Sequence, residues 1–330
     1  MNRNNDQSHQ NEYYTLSVVI INYKTPDLIK DCITSLLPEL KHIHSSVNII
    51  DNFSNDGSVE AIHEWLKSLE SDQIINLIAS PINLGFSGGN NLGIRATRAK
   101  FYLLLNSDTL VRTNSISELI TEAENNPQAG LISPRLEWQD GTAQKSCFHY
   151  HTPLSEFLSS ARTGPISKIF KSHEIAIPVS DTISNPEWTS FACVMIRDEV
   201  FRDIGLMDDG YFMYFEDSDF CFHARKSGWD IVHTPASHIV HLRGGSSPVK
   251  ENTIKKKRLP RYYYASRTRY FYKLYGRTGL TAANLFWSAG RIISLIRELL
   301  GTKQTHVCEK QWLDIWTNYR DPLNPYRIKT

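Results

Sequence analysis

The chain has 330 residues, 41% of them apolar and 22% charged, with a formal net charge of +1. That length can bury a substantial core, as one large domain with an appendage or as two domains. The near-neutral balance gives no reason to expect a nucleic-acid partner, and no segment approaches the roughly 20 apolar residues that span a bilayer. The five cysteines (Cys32, Cys147, Cys193, Cys221 and Cys308) form no CxxC pair, a pattern that suits reduced thiols in a cytoplasmic compartment. The polar opening "MNRNNDQSHQNEYY" (1–14) has no apolar stretch of the kind a signal peptide carries and reads as a flexible tail.

After residue 14, strand and helix patterns alternate. "LSVVIINY" (16–23) is a short β-branched run expected of a strand buried on both faces. Pro26 and Asp27 open a helix with apolar Leu28, Ile29, Ile33, Leu36 and Leu37. "VNIID" (47–51) predicts a second strand, then a turn and a helix to about Leu69. "INLIAS" (75–80) predicts a third strand, and "NLGFSGGNN" (83–91) leads into a helix ending near Arg98. "FYLLLNSD" (101–108) predicts a fourth strand, and Thr113 or Asn114 caps a helix ending near Pro127. Residues 140–185 are irregular. "WTSFACVMI" (188–196) predicts a returning strand, and "DIVHTPASHIVHL" (230–242) strand segments broken at Pro235. From 250 the chain turns basic and aromatic, with helical patterns to about 300. The βαβα alternation predicts a doubly wound α/β sheet, whose ligands lie beyond the carboxyl ends of the strands. Asn22 and Tyr23, Asp51 and Asn52, and Asn106 to Asp108 all fall at such ends and should converge there. Ending strands and opening turns would equally suit these residue types.

Several stretches carry candidate chemistry. Asp108, closing a buried strand, could hold a hard divalent cation; it could also simply start a turn. Gly85, Gly88 and Gly89 permit close backbone approach to a phosphate or sugar, yet they form neither GxGxxG nor a Walker loop. His241 in "HLRGGSS" is a structural histidine or the completion of a metal site. "YFMYFEDSDFCFHARKSGW" (211–229) places Glu216, Asp217 and Asp219 among aromatics, at the start of a helix from about Asp217 or Ser218 to Ser227 that Gly228 stops. Helix capping accounts for one such carboxylate or two, not three. A carboxylate beside apolar walls can instead take a proton from a hydroxyl nucleophile.

In order and spacing, "VVIINYK", "IIDNFSNDGS", "NLGFSGGNNLGI", "LLLNSDT", "FMYFEDSDFCFHARKSGW" and "HLRGGSS" resemble family 2 glycosyltransferases of the rhamnosyltransferase-like branch, over roughly residues 16–275. The resemblance implies a GT-A fold: a Rossmann-like, mostly parallel nucleotide-binding sheet flanked by helices (15–249), with a basic, aromatic helical C-terminal extension (250–330). It implies inverting transfer of a sugar from a nucleotide-diphosphate donor, with dTDP-L-rhamnose as the expected one, to a saccharide or lipid-linked glycan in surface-polysaccharide synthesis. By position, Asn22, Tyr23, Asp51 and Asn52 line the base and ribose site. Gly85, Gly88 and Asn91 belong to the donor loop, together with Asn106, Ser107 and Asp108. Asp108 and His241 match the family's metal ligands, for Mg²⁺ or Mn²⁺. Asp217 matches the catalytic base, and Glu216, Asp219 and Trp188 orient the acceptor or its loop. The family usually carries Arg where His223 stands and often a small residue where Phe191 stands.

The basic stretch from Lys255 to Arg261 and the amphipathic "LFWSAGRIISLIRELL" (285–300) could bring residues 250–300 to the inner face of a plasma membrane as a peripheral contact. Two other readings of the chain are a nucleotidyltransferase on a similar sheet and a non-catalytic nucleotide-sugar-binding protein. The first would want a basic, Gly-rich loop after the first strand, where the chain has only "NYKTPD".

Overall fold

The computed structural model describes residues 12–69, 71–163, 174–243, 247–301 and 305–327. Most of the tail (1–11) and Gly244–Ser246 of the "HLRGGSS" stretch lie outside the described residues. The first half of the chain runs β1 (Tyr13–Asn22), α1 (Pro26–Leu40), β2 (Ser45–Asp51), α2 (Ser58–Lys67), β3 (Ile74–Ala79), α3 (Gly85–Ala96), β4 (Arg98–Asn106), β5 (Thr109–Val111), α4 (Ser115–Asn125) and β6 (Ala129–Glu137). The second half runs β7 (Cys147–Phe148), α5 (Pro153–Ala161), β8 (Trp188–Thr189), β9 (Cys193–Arg197), α6 (Asp198–Ile204), α7 (Glu216–Lys226), β10 (Asp230–His241), α8 (Val249–Lys255), α9 (Arg261–Leu299) and α10 (Gln311–Asp314).

Eight strands form one sheet in the order β3-β2-β1-β4-β9-β6-β10-β5. The chain leaves β1 towards β2 and β3, then returns on the other side as β4, so the strand order reverses between β1 and β4. Such a switch point opens a crevice at the carboxyl edge. The register makes that edge flush: Asn22 lies opposite Asp51, and Ile21 opposite Asn106. β9 runs antiparallel between β4 and β6, with Cys193 opposite Leu105. Its start therefore meets the same edge. The all-apolar centres of β1 and β4 are buried on both faces, by α1, α2 and α4 on one side and by α3, α6 and α7 on the other.

The differences from the sequence reading have physical causes. "LISPRLE" gives a strand, β6, that was not expected, because Pro134 lacks the N–H a central strand needs. Its partner β10 shifts register between Thr234 and His238, beside Pro134, so the two irregularities fall together and β10 continues as one strand. Residues 188–196 split into β8 and β9 around the turn Ser190–Ala192. The helix expected to reach Arg98 ends at Ala96, and Arg98 begins β4 instead. β1 starts at Tyr13, with Tyr14 buried, so the last two residues of the expected tail belong to the sheet.

The C-terminal helices pack on the sheet domain. α9 bends at Gly276 (φ 66°, ψ −171°), and beyond the bend Gly290 lies against α5, where any Cβ would fall 2.2 Å from Ser160 Oγ. Before the bend, Arg267 (3% exposed) donates to Glu156 Oε2 through Nε and a terminal nitrogen, at 3.1 and 2.8 Å, and to Asn284 Oδ1 at 2.7 Å. A buried charge held this completely fixes where α9 sits.

Gly93 sets the distance between α3 and the sheet, since a Cβ there would lie 2.3 Å from Val19 Cγ1. Alanine gains about 1 kcal/mol of helix propensity over glycine, but overpacking against a stiff β-branched neighbour costs about 1–3 kcal/mol. Gly93→Ala is therefore expected to lower stability; a denaturant midpoint at or above the parent's would show that α3 has slack.

Candidate active site

Three strand ends build the first part of the crevice. Asn22 Nδ2 donates to Asp51 Oδ2 (2.7 Å) and to Ser54 Oγ (3.1 Å), and the Ser54 amide donates to Asp51 Oδ1 (3.0 Å). The Thr25 amide donates in turn to Asn22 Oδ1 (3.2 Å). Both Asp51 oxygens thus accept bonds although the side chain is only 2% exposed, which is what allows a carboxylate at the end of an apolar strand. Tyr23 is half-buried beside this network, with the Lys24 ammonium 5.5 Å from its ring centroid.

Asn52 and the glycine stretch form a second layer. Asn52 Nδ2 donates to the Gly85 carbonyl (2.9 Å), and the Leu84 amide donates to Asn52 Oδ1 (2.9 Å). Gly85 has φ +70°, and a Cβ there would lie 2.2 Å from the Phe212 carbonyl, which accepts from the Phe86 amide at 2.7 Å. The glycine lets the start of α3 rest directly on the segment leading to α7. Asn91 brackets Met207, donating to its carbonyl (2.7 Å) and accepting from its amide (3.1 Å). Gly88 lies inside α3 over Leu84. Asn52, Asn91 and Gly88, read from the sequence as donor-lining, therefore spend their side chains or their space on the scaffold.

The end of β4 supplies the next part. The Asn106 amide donates to the Ala192 carbonyl (2.9 Å), and Ser107 Oγ lies 3.4 Å from Thr25 Oγ1, joining the β1 and β4 loops. β5 pairs with the end of β10, placing Thr109 opposite His241, and the Leu242 amide donates to the Asp108 carbonyl (2.9 Å). Two residues 133 positions apart thereby meet: Asp108 Oδ1 is 3.5 Å from His241 Nε2, both nearly buried. Gln144 steadies the strand end by donating to the His241 carbonyl (2.8 Å), while His241 Nδ1 is buried without a partner. Among the described residues no third His, Cys, Asp or Glu joins them. A carboxylate oxygen and an imidazole nitrogen at this separation fit a Mg²⁺ or Mn²⁺ ion that would take its other ligands from phosphate and water.

α7 starts at Glu216 after Tyr214 and Phe215, both at positive φ (73° and 68°). No side chain caps it in the usual way; within the first turn, Asp217 Oδ1 accepts from the Ser218 amide at 2.8 Å. The Phe191 amide also lies where it favours the charged form of Asp217. Phe191 neighbours Ala192, which holds Asn106, so the Ser190–Ala192 turn ties Asp217 to the β4 end that carries Asp108. Asp217 is half-buried, and desolvation pushes its carboxyl up to about 7, against the opposing pull of these amides. Glu216 is buried with Oε2 unpartnered; burial first, then the charges of Asp217 and Asp219, hold its carboxyl well above the usual range. Glu216 stays protonated and can donate, whereas Asp217 can exchange a proton near neutrality.

Asp219 is stabilised from outside its own helix. Lys273 Nζ on α9 donates to Asp219 Oδ2 (2.6 Å) and to Asp208 Oδ2 (2.8 Å), and Arg269 grips Asp208 with two bonds of 2.9 and 2.7 Å. His223, where the family usually has Arg, instead bonds the Asp219 carbonyl through Nδ1 (2.8 Å). Lys273 and Arg269 were not singled out from the sequence. They lie among many basic residues, and nothing local marks which of them turn inward.

An aromatic wall stands beside the acids. Trp188 stacks on Phe148 (centroids 4.2 Å apart) and donates Nε1–H to the His149 carbonyl, while His151 lies between Trp188, Phe215 and Tyr270. Burial lowers His151 to about 4, so it is a neutral ring at neutral pH. His151 also went unnoticed in the sequence, within an irregular stretch.

The strand-order reversal, the crevice at the carboxyl edge and the helices on both faces place the chain in the α/β class, and solved structures agree on the fold. GalNAc-T7 with UDP, GalNAc and Mn²⁺ superposes at TM-score 0.57 with 16% identity, over 93% of this chain and 58% of that one. The mannosyltransferase PcManGT of Pyrobaculum calidifontis, in complex with GDP-Man and Mn²⁺, does so at 0.53 with 13% identity, over 95% and 86%. The fold is GT-A. Residues 17–175 match the model of glycosyl transferase family 2.

Curated relatives include the low-salt glycan biosynthesis hexosyltransferase Agl10 of Haloferax volcanii, 28% identical over 68% of this chain and 66% of that protein. The N-acetylglucosaminyl-diphospho-decaprenol L-rhamnosyltransferase of Mycobacterium tuberculosis is 25% identical, over 61% and 68%. The rhamnosyltransferase WbbL of Escherichia coli is 26% identical, over 48% and 60%. The chain thus spans about two thirds of the length of the first two relatives.

Removing the Lys273 ammonium leaves Asp219 and Asp208 facing each other. Lys273→Met is expected to cost about 3 kcal/mol of stability and Lys273→Arg less. Adding Asp219→Asn to Lys273→Met should recover part of the loss in a double-mutant unfolding cycle. Strict additivity would show that the contact carries no coupling.

Proposed function

We propose that this protein is a metal-dependent inverting glycosyltransferase that moves a sugar, L-rhamnose from dTDP-L-rhamnose being the leading candidate, from a nucleotide-diphosphate donor to a hydroxyl of a saccharide or lipid-linked glycan. The observation that carries the reading is the 3.5 Å Asp108–His241 pair on the edge to which the Ser190–Ala192 turn also ties Asp217. Rhamnosyl transfer by the mycobacterial and E. coli relatives supports the rhamnosyl donor, and the decaprenol-linked acceptor of the mycobacterial one supports a lipid-linked acceptor.

In this reading the nucleoside occupies the crevice at Asn22, Tyr23 and Asp51, with the diphosphate towards Ser107 and Asp108. A Mg²⁺ or Mn²⁺ ion held by Asp108 and His241 would neutralise charge on the departing diphosphate. The acceptor hydroxyl attacks the anomeric carbon from the side opposite the leaving group. Its proton passes to an Asp217 oxygen as the new C–O bond forms. The old C–O bond breaks, its electron pair leaving with the diphosphate, so the configuration inverts and no covalent sugar–enzyme intermediate arises. Protonated Glu216 and the Trp188 wall orient the acceptor and exclude water. Asp219, through Lys273, holds the turn on which Asp217 sits. The five cysteines are unpaired and buried, in keeping with work on the cytoplasmic side of a membrane.

The sign of the pH dependence follows from the base. Below about 7 Asp217 is protonated and cannot accept, so kcat should rise with pH up to roughly neutrality and then level off. Asp217→Asn should lower kcat by about 10²–10⁴-fold with donor affinity kept. A variant as active as the parent, or a parent profile flat from pH 5 to 8, would remove Asp217 from its role.

Chelation should abolish transfer, with Mn²⁺ or Mg²⁺ restoring it. His241→Ala should weaken the thermal shift given by nucleotide sugar plus Mn²⁺, while leaving the shift from nucleoside alone near the parent's. Full activity in excess EDTA would refute metal dependence.

A further inference from the structure

We propose that the C-terminal half of α9, with Trp312, Leu313, Trp316 and the run Lys255–Lys257, forms a docking face for an anionic lipid bilayer. The first observation is an apolar stripe with nothing packed over it. Leu285, Phe286, Ile292, Ile296 and Leu299 recur at helical spacing on α9, Leu300 follows at its end, and all are exposed, from 44% at Phe286 to 80% at Leu299. At 1.5 Å per residue the stripe runs roughly 22 Å, more than the scattered single apolar residues any soluble surface shows.

The second observation is what borders the stripe. Tyr319, packed edge-on against Trp316 (centroids 5.1 Å apart), meets Thr281 Oγ1 at 2.7 Å one turn before Leu285, so the segment carrying exposed Trp312 (42%), Leu313 (69%) and Trp316 (36%) runs along α9 at the start of the stripe. The Glu309 amide bonds the Lys256 carbonyl (3.0 Å), bringing Lys255–Lys257 and Lys310 alongside. An apolar stripe edged by indoles and lysines is the arrangement of a helix lying in a membrane interface.

Charge decides between occupants. Residues 250–330 carry 17 Lys and Arg against five Asp and Glu, while the whole chain is only +1. The positive excess is therefore confined to this end, and the rest of the chain is net acidic. A second copy brought face to face would set lysine border against lysine border, whereas anionic headgroups meet both the border and the stripe. Among the described residues no helix is long and apolar enough to cross a membrane, so α9 lies along the surface. The same element reaches the acid cluster through Lys273, on the other side of Gly276 from the stripe. A lipid-linked acceptor in that bilayer would be gathered to the surface on which the molecule that carries the acids is docked. For its purpose the proposal rests on the lipid-linked acceptor reading; its test does not require transfer activity.

The experiment is flotation of the full chain with phosphatidylcholine vesicles and with phosphatidylcholine–phosphatidylglycerol vesicles, at low and moderate salt. The parent should float with the mixed vesicles and weakly or not at all with phosphatidylcholine alone. Ile292→Glu/Ile296→Glu should abolish flotation, and reversing the three lysines to Glu should weaken it by roughly fivefold for each charge removed. Thermal melts like the parent's would show that these exposed changes leave the fold intact, and transfer to a soluble acceptor should be unchanged. A parent that stays with neither vesicle overturns the proposal. So does a parent that light scattering shows as a dimer, made monomeric by Ile292→Glu/Ile296→Glu and without affinity for lipid, because the stripe would then belong to a second copy. Either result leaves the transferase reading standing; that reading fails separately if no nucleotide sugar is turned over.

Discussion

Three carboxylates within four residues at the start of α7 set the central constraint on this molecule. Helix-end dipoles stabilise a negative charge by about 0.3–1 kcal/mol, far less than the cost of holding three such charges among aromatics. The structure resolves the conflict by giving each acid a different condition. Glu216 is buried without a partner and keeps its proton. Asp219 is paired with Lys273, delivered from α9. Asp217, half-buried and bonded by the Ser218 amide, is left poised near neutrality. Removing any one of these conditions would disturb the other two, since the groups share one helical turn.

This constraint explains why the C-terminal helices are needed so close to a sheet that could bury its own core. Lys273 and Arg269 clamp Asp208, Asn91 brackets the adjacent Met207, and Ser266 Oγ donates to the Met213 carbonyl at 3.0 Å. The segment from Met207 to Phe215, two of whose residues sit at positive φ, is thus held from α3 on one side and α9 on the other. Burial of Arg267 against Glu156 fixes α9 in the position from which Lys273 can reach. Strain in the loop and a buried ion pair in the helix are two parts of the same arrangement.

The legible part of the sequence is the part governed by short-range rules. β-branched runs gave the parallel strands, and Asn or Asp at their ends pointed to one edge, because strand register and right-handed crossovers leave few other places for those ends to go. Gly228, at φ 93°, ends α7 where it was expected. What could not be read there depends on partners distant in sequence. Nothing around residue 273 distinguishes a lysine that meets Asp219 from its solvated neighbours. Asn91 and Gly88 look alike as donor ligands or as packing residues until Met207 and Leu84 are seen beside them. β6 was hidden because Pro134 contradicts a central strand unless its partner is irregular at the same level, and only the pairing with β10 shows that it is.

The bend at Gly276 divides α9 into two halves with opposite tasks. The half before it turns charge inward: Arg267, Arg269 and Lys273 each spend their donors on buried or half-buried carboxylates. The half after it turns apolar side chains outward, and Arg291 and Arg297 are taken up locally by Glu298 and by the carbonyls of Ala161 and Arg162. A straight amphipathic helix would have to present one face throughout. The non-helical backbone at Gly276 breaks α9 into two helical pieces, so one piece can hold the acid cluster while the other leaves a bare apolar stripe. Polar side chains on that stripe would have left the fold unchanged, since nothing in the described residues packs on it. Their absence is what asks for an apolar partner.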